Sequence, residues 1–136
     1  AGWDTIKNKS FLKDVIKTLK SKGIRASVFM DANILMIEHA AETGTDRIEL
    51  YTESYAADFL QNKEKAIAPF LLAAEKAAEL GLGLNAGHDL NLDNLRYFFE
   101  NTKGLLEVSI GHALISDALY FGLENTVQLY LRCLKN

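Results

Sequence analysis

The sequence predicts an α/β protein in which parallel strands alternate with helices. A first helix is followed by four strand–helix units, and a glycine separates helix from strand at Gly23, Gly44, Gly81 and Gly104. Short connections between alternating strands and helices are typical of parallel sheets whose helices pack on the outside. No Pro-, Gly- or Ser-rich linker interrupts the pattern, so residues 1–136 are predicted to form a single domain.

Apolar residues at helical spacing predict the helices, and short runs of apolar residues predict buried strands. In chain order these elements are a helix over 11–19, a strand over 26–30, a helix over 33–43, a strand over 47–51, a loop over 52–58, a helix over 67–78, a strand over 83–86, a helix over 92–99, a strand over 105–110, and helices over 113–121 and 123–134. Pro69 predicts a helix start or a kink nearby.

Two architectures accommodate four strand–helix units: an open doubly wound sheet, or part of a (β/α)8 TIM barrel. Polar residues inside the strands favour the barrel. Glu49 lies between Ile48 and Leu50, and Glu107 and Ser109 share one face of their strand. A sheet covered by helices on both faces has little room for such side chains, whereas a barrel lumen opens towards the active site. A complete barrel takes about 250 residues, and this chain of 136 residues is about half as long.

Composition excludes several classes of function. The formal net charge is −3, and the lysines between Lys7 and Lys22 fit the solvated face of one helix, so no nucleic-acid partner is predicted. We expect no membrane partner, because no apolar run reaches the length of a membrane span. A lone Cys133 allows no intrachain disulfide, which suits the cytoplasm. The three histidines lack the spacing of a zinc site, so no metal centre is predicted.

The strongest candidate site residues are two Gly-His pairs, Gly87-His88 and Gly111-His112, each between a predicted strand and a helix. In parallel α/β proteins this junction lies at the edge of the sheet where ligands bind. Histidine exchanges protons near neutral pH, which suits a general acid or base. The alternatives are a histidine that caps the following helix, for His88, and a tight turn with a hydrogen-bonded histidine, for His112.

Four further polar residues bear on the prediction of the site. Asp89 and Asn91 precede a predicted helix and are typical N-cap residues, although a helix N-terminus also suits a phosphate. Glu49 within an apolar strand is costly unless it is paired or solvated, so it is either a structural ion pair or a carboxylate that faces a polar intermediate. His39 lies in the middle of a predicted helix and is interpreted as a surface residue.

Four segments resemble the pyridoxine 5'-phosphate synthase family of bacterial vitamin B6 biosynthesis: RASVFMD (25–31), RIELYTESYA (47–56), LGLNAGHDLNLDNL (82–95) and LLEVSIGHALISDALYFGL (105–123). The resemblance covers nearly the whole chain. It implies a (β/α)8 TIM barrel, of which this chain is similar to the C-terminal half, strands 5 to 8 with their helices. The family condenses 1-deoxy-D-xylulose 5-phosphate with 3-amino-2-oxopropyl phosphate and releases phosphate and water, and it assembles into homo-oligomers, commonly octamers. No metal or organic cofactor is expected.

The resemblance also implies roles for individual residues. By motif, His88 is expected to be the general acid that helps to expel a leaving group, and Glu49 to stabilise a charged intermediate. Asp89, Gly111 and His112 are expected to contact the aminoketone phosphate, largely through backbone groups at helix starts. The sequence departs from the family at Glu53, where members often have glycine.

Two hypotheses about function follow. In the first, the chain is the C-terminal half of the synthase and is inactive alone, because the N-terminal half supplies a catalytic histidine, a glutamate and most phosphate-binding side chains. In the second, it is a half-barrel that self-associates to cover its open edges and binds a phosphate ligand without catalysis. A different phosphate-handling barrel enzyme is a third and weaker interpretation.

Overall fold

The computed structural model describes residues 1–135 and contains a four-stranded parallel sheet with seven helices in that range. The elements are α1 (Lys9–Ser21), β1 (Ser27–Met30), α2 (Ile34–Ala41), β2 (Arg47–Tyr51), α3 (Glu53–Asp58), α4 (Lys63–Glu79), β3 (Gly83–Gly87), α5 (Leu95–Asn101), β4 (Leu105–Ser109), α6 (His112–Phe121) and α7 (Leu123–Cys133). The glycines that separate helices from strands have positive φ, between 70° and 80°, which is the conformation that ends helices. No helix in this range is long and apolar enough to cross a membrane.

The strands lie in sequence order, β1-β2-β3-β4, and every pair is parallel. The register aligns one residue of each strand in a row: Phe29 pairs with Glu49, Glu49 with Asn85, and Asn85 with Glu107. An irregularity in the last pairing accommodates Leu106 as an extra residue in β4. The sheet therefore brings side chains that are distant in sequence into one line.

The core lies on one face of the sheet. The buried strand residues Ile48, Leu50 and Ala86 form one apolar cluster with helix residues such as Ile37 and Phe98. The intervening strand residues lie on the opposite face, which we call the lumen face; it carries Phe29, Arg47, Glu49, Asn85, Glu107 and Ser109. Apart from Asn85 these residues are partly or fully exposed. A doubly wound sheet would bury both faces under helices, so the arrangement is that of a barrel segment and the predicted fold class is confirmed.

The region after β2 differs from the prediction. Residues 53–58, predicted to be a loop, form helix α3, because Tyr55 is fully buried and anchors this short segment. The Tyr55 ring packs edge-on against Phe98 with centroids 4.9 Å apart, and its hydroxyl donates to the Asn94 carbonyl at 2.7 Å. The core therefore fixes the chain immediately after the end of β2.

The starts of two helices also differ from the prediction. Helix α4 begins at Lys63, capped by the side chain of Asn62, and continues through Pro69, so a helix start near Pro69 is wrong. Helix α5 begins at Leu95 rather than at Leu92, because residues 92–94 form a turn.

Candidate active site

All five predicted site residues line one cavity of about 350 Å³ towards the C-terminal ends of β2, β3 and β4: Glu49, His88, Asp89, Gly111 and His112. Phe29, Ser109 and Ile110 complete its lining. Two of the five follow β3, two follow β4, and Glu49 reaches the cavity from the lumen face of β2. The parallel register places them together although they are spread over more than sixty positions of sequence.

The turn after β3 carries His88 and Asp89 in an unusual backbone conformation. Both have positive φ, 87° for His88 and 58° for Asp89. A residue other than glycine in this region costs on the order of 1–3 kcal/mol and persists only where the surroundings enforce it. The amide and the hydroxyl of buried Thr52 both donate to the Gly87 carbonyl, at 2.9 and 2.8 Å. The end of β2 thus holds the turn after β3.

The His88 imidazole is half-exposed and has two neighbours. Its Nδ1 lies 3.1 Å from Oδ2 of Asp89, and the Tyr51 ring stands edge-on to it with centroids 4.8 Å apart. Because an ionised carboxylate only accepts hydrogen bonds, a hydrogen bond at this contact requires the tautomer with a proton on Nδ1, which leaves Nε2 for a ligand. The alternative that His88 caps a helix is wrong, because α5 begins seven residues later.

The interpretation of Asp89 as an N-cap is wrong for the same reason. Its carboxylate contacts His88. Oδ1 of Asn91 accepts from the amides of Asp93 and Asn94 at 2.9 and 3.1 Å in the turn before α5, and the N-cap residue Asn94 makes no side-chain cap bond. Any backbone contact from Asp89 to a ligand would therefore come from the strained turn and not from a helix start.

Glu49 lies over Gly87. A Cβ built on Gly87 would collide with Oε1 of Glu49, so the missing side chain provides the space for the carboxylate. The alternative of a structural ion pair is wrong within residues 1–135, where Glu49 forms no salt bridge. The nearest cation along the strand, Arg47, instead pairs with Glu107 at 2.9 Å. Glu49 is thus a half-buried carboxylate at the wall of a cavity, where a cationic group of a ligand could pair with it.

An ion-pair network on the lumen face is a feature that the sequence reasoning missed. Glu107 pairs with Arg47 at 2.9 Å and Arg25 at 3.2 Å, and Asn85 bridges Arg47 and Glu107 with hydrogen bonds of 3.1 Å. Burial raises the pKa of Glu107, but the charges of Arg25 and Arg47 outweigh it, so the pKa lies below its ordinary value. The sequence signal that could have predicted this network is the polar residue at a lumen-facing position in each of three strands.

The N-terminus of α6 is the better candidate for a phosphate. Gly111 is its N-cap residue and provides no side-chain hydrogen bond, and the space around its Cα is open. The turn before α5 is instead closed by Asn91 and Asn94, whose side chains bond its amides. Amide groups at a helix N-terminus bind anions when nothing else occupies them.

No cluster of three His, Cys, Asp or Glu side chains within residues 1–135 is arranged to hold a metal ion. The polar groups around the cavity are instead two carboxylates, two imidazoles, the Ser109 hydroxyl and the amides at the start of α6. This set is equipped to transfer protons and to bind an anionic group.

These features define the chain as part of a (β/α)8 barrel with a candidate site at the C-terminal ends of its strands, where barrel enzymes place their catalytic groups. The family model described as pyridoxal phosphate biosynthesis protein PdxJ matches residues 1–136, so the chain belongs to that family. The predicted family is confirmed. The chain is therefore related to enzymes of vitamin B6 biosynthesis.

Three relatives, each named pyridoxine 5'-phosphate synthase, illustrate the similarity. The protein of Flavobacterium johnsoniae is 59% identical over 135 residues, that of Cytophaga hutchinsonii 61% and that of Bacteroides thetaiotaomicron 57%. Each alignment covers 99% of this chain but only 57% of the relative. The chain thus spans a little over half the length of these relatives and corresponds to their C-terminal half.

Proposed function

We propose that residues 1–136 provide one side of the active site of a pyridoxine 5'-phosphate synthase, which condenses 1-deoxy-D-xylulose 5-phosphate with 3-amino-2-oxopropyl phosphate. The observation that carries the proposal is the single cavity lined by Glu49, His88, Asp89, Gly111 and His112. Relatives more than 55% identical that bear this enzyme name support the assignment of the reaction.

In this proposal His88 is the general acid. Loss of phosphate or water requires a proton on the departing oxygen, and a histidine beside the substrate supplies it. The Asp89 carboxylate, 3.1 Å from Nδ1, accepts a hydrogen bond from that nitrogen and orients the ring, so that Nε2 is the atom that delivers the proton to the leaving group. Asp89 thus acts on the substrate mainly through His88.

Glu49 stabilises the cationic intermediate. When an amine condenses with a ketone, the protonated imine that forms carries a positive charge. A carboxylate without a salt-bridge partner among residues 1–135 is available to offset that charge at the cavity wall. Gly87 keeps space for it, and the network around Glu107 engages the nearby Arg47.

Gly111 and His112 bind the phosphate of the aminoketone. The first amides of α6 face no side-chain cap, and the positive end of the helix dipole favours an anion there. Glycine at position 111 lets the phosphate approach the backbone closely.

The test is a segment-swap protein in which residues 1–136 replace the matching segment of the Flavobacterium johnsoniae synthase. We expect His88→Gln to lower kcat by about 100- to 10,000-fold and Glu49→Gln by about 100- to 1,000-fold. His39→Gln, a histidine substitution on α2 outside the cavity, is the matched control and keeps full turnover. A His88→Gln protein as active as His39→Gln would refute the acid role.

Residues 1–136 alone are expected to have no turnover, because four strands supply only one wall of a barrel lumen. We carry over from the family a cytoplasmic location and a homo-oligomeric, octameric assembly of the whole enzyme.

The alternative function, a self-associating half-barrel that only binds phosphate, is favoured by exposed apolar side chains at the end of α6, where Leu119 and Tyr120 are 83% and 86% exposed. A dimer of the isolated chain that binds phosphate, together with an inactive segment-swap protein, would favour this alternative.

A further inference from the structure

Thr52 connects the end of β2 to the turn that carries His88. Its side chain is fully buried. The hydroxyl lies 2.8 Å from the carbonyl oxygen of Gly87 and 2.5 Å from that of His88, so one proton is shared between two consecutive carbonyls. The Thr52 amide donates to the Gly87 carbonyl as well, at 2.9 Å. A single residue therefore restrains both peptide groups that flank the His88 backbone.

These contacts are the shortest that hold the turn. The one backbone hydrogen bond from His88 itself, to the carbonyl of Ser109, is long at 3.4 Å. His88 and Asp89 both have positive φ, a conformation that relaxes unless the surrounding structure enforces it. Without the Thr52 hydroxyl, the His88 carbonyl loses that donor, the Gly87 carbonyl keeps only the Thr52 amide of the two Thr52 donors, and the strained pair loses its main restraint.

Thr52 is itself rigidly anchored. Its carbonyl accepts from the amide of Ala56 at 3.0 Å in the first turn of α3. That helix is fixed by Tyr55, which is buried among the aromatic rings of the core and bonds the Asn94 carbonyl at 2.7 Å. The connection therefore extends from the core through α3 and Thr52 to the backbone that orients the His88 imidazole.

We propose that Thr52 is a positioning residue that holds His88 in place through the Gly87 and His88 carbonyls. The proposal rests on the proposed function, in which His88 is the general acid. Threonine does not contact the substrate in this account; it acts only through the orientation of the imidazole. Loss of its hydroxyl should therefore lower kcat while KM changes little.

The experiment uses the segment-swap protein, which contains the whole chain. A displacement of about 1 Å at a reacting group costs about 100-fold in rate, so Thr52→Val should lower kcat by about 10- to 100-fold with KM within about threefold. Thr52→Ser, which keeps the hydroxyl, should restore most of the turnover. The matched control is Thr126→Val: Thr126 is equally buried, and its hydroxyl donates to the Gly122 carbonyl at 2.9 Å in α7. It should leave kcat unchanged.

A double-mutant cycle separates positioning from general destabilisation. If Thr52 acts through His88, Thr52→Val causes no further loss in a His88→Gln background, whereas independent effects multiply. Thr52→Ala replaces the valine variant if the latter fails to fold. Equal kcat in Thr52→Val and Thr126→Val, or a Thr52→Ser protein as impaired as Thr52→Val, would overturn the proposal. A fully active His88→Gln protein would instead refute the acid role itself.

Discussion

Replacing Gly87 with alanine perturbs the site where the backbone of β3 and the proposed catalytic carboxylate come closest. The φ of Gly87 lies outside the left-handed region, so the backbone accepts alanine and the effect is one of space. The added Cβ would lie 2.9 Å from Cβ of Ser109, 3.2 Å from its carbonyl oxygen, and closer still to Oε1 of Glu49. Ordinary contacts of a Cβ begin at 3.4 Å.

The magnitude follows from these distances. Ser109 has to move by about 0.5 Å and the Glu49 carboxylate by about 1 Å, a misplacement that costs about 100-fold in rate. Overpacking of this kind also costs about 1–3 kcal/mol in the free energy of unfolding. Gly87→Ala should therefore lower kcat of the segment-swap protein by about 100-fold and destabilise it moderately.

Gly83→Ala is the matched control, because it crowds the opposite end of the same strand. Its Cβ would lie 2.7 Å from Cγ of Arg47, and its nearest neighbours belong to Arg47 and Leu106 rather than to Glu49. Urea denaturation should give similar stability losses for both variants, whereas steady-state kinetics should show a large loss of kcat for Gly87→Ala only. Equal kcat in the two variants would refute the argument that Gly87 is required to make room for Glu49.

Two further predictions concern stability. The pKa of Glu107 is lowered in the folded protein, because the charges of Arg25 and Arg47 outweigh the effect of burial. Ionisation of Glu107 therefore stabilises the fold at a pH above the ordinary pKa of glutamate. This contribution is lost as the pH falls through the lowered pKa. The stability difference between the wild type and Glu107→Gln, measured by urea denaturation, should shrink from pH 7 to pH 3; a difference that does not vary with pH would contradict this. Tyr55→Phe removes the 2.7 Å donor to the Asn94 carbonyl, which keeps the Phe98 amide at 3.2 Å, and should cost about 0.5–1.5 kcal/mol in the same assay; an unchanged free energy of unfolding would contradict it.

Local sequence patterns predicted the elements that apolar periodicity controls. Strand β2 has the predicted bounds, 47–51, because its buried residues Ile48 and Leu50 alternate with residues of the lumen face. Helix α3 was not predicted, because its six residues form fewer than two turns and show no repeating pattern of apolar residues. The packing of Tyr55 in the core decides its conformation. The start of α5 was misplaced because asparagines that can act as caps stand at both 91 and 94.

Some features of the candidate site were likewise predictable from local sequence, and others depend on the assembled sheet. The two Gly-His pairs were predictable because each stands at a junction between a strand and a helix, which fixes its edge of the sheet. The position of Glu49 over Gly87 depends on the register between β2 and β3, which no local pattern encodes. The contact of Thr52 with the His88 turn spans 36 residues and likewise arises from the assembled sheet. The roles of the five site residues stay predictions.

Phosphate binding at the start of α6, beside the proposed general acid His88, is tested most directly by a crystal structure of the segment-swap protein with pyridoxine 5'-phosphate. We expect the phosphate of the product to lie within hydrogen-bond distance of the backbone amide of His112, with the ring of the product extending towards His88 and Glu49. A product whose phosphate lies away from the start of α6, with no contact to Gly111 or His112, would contradict the account.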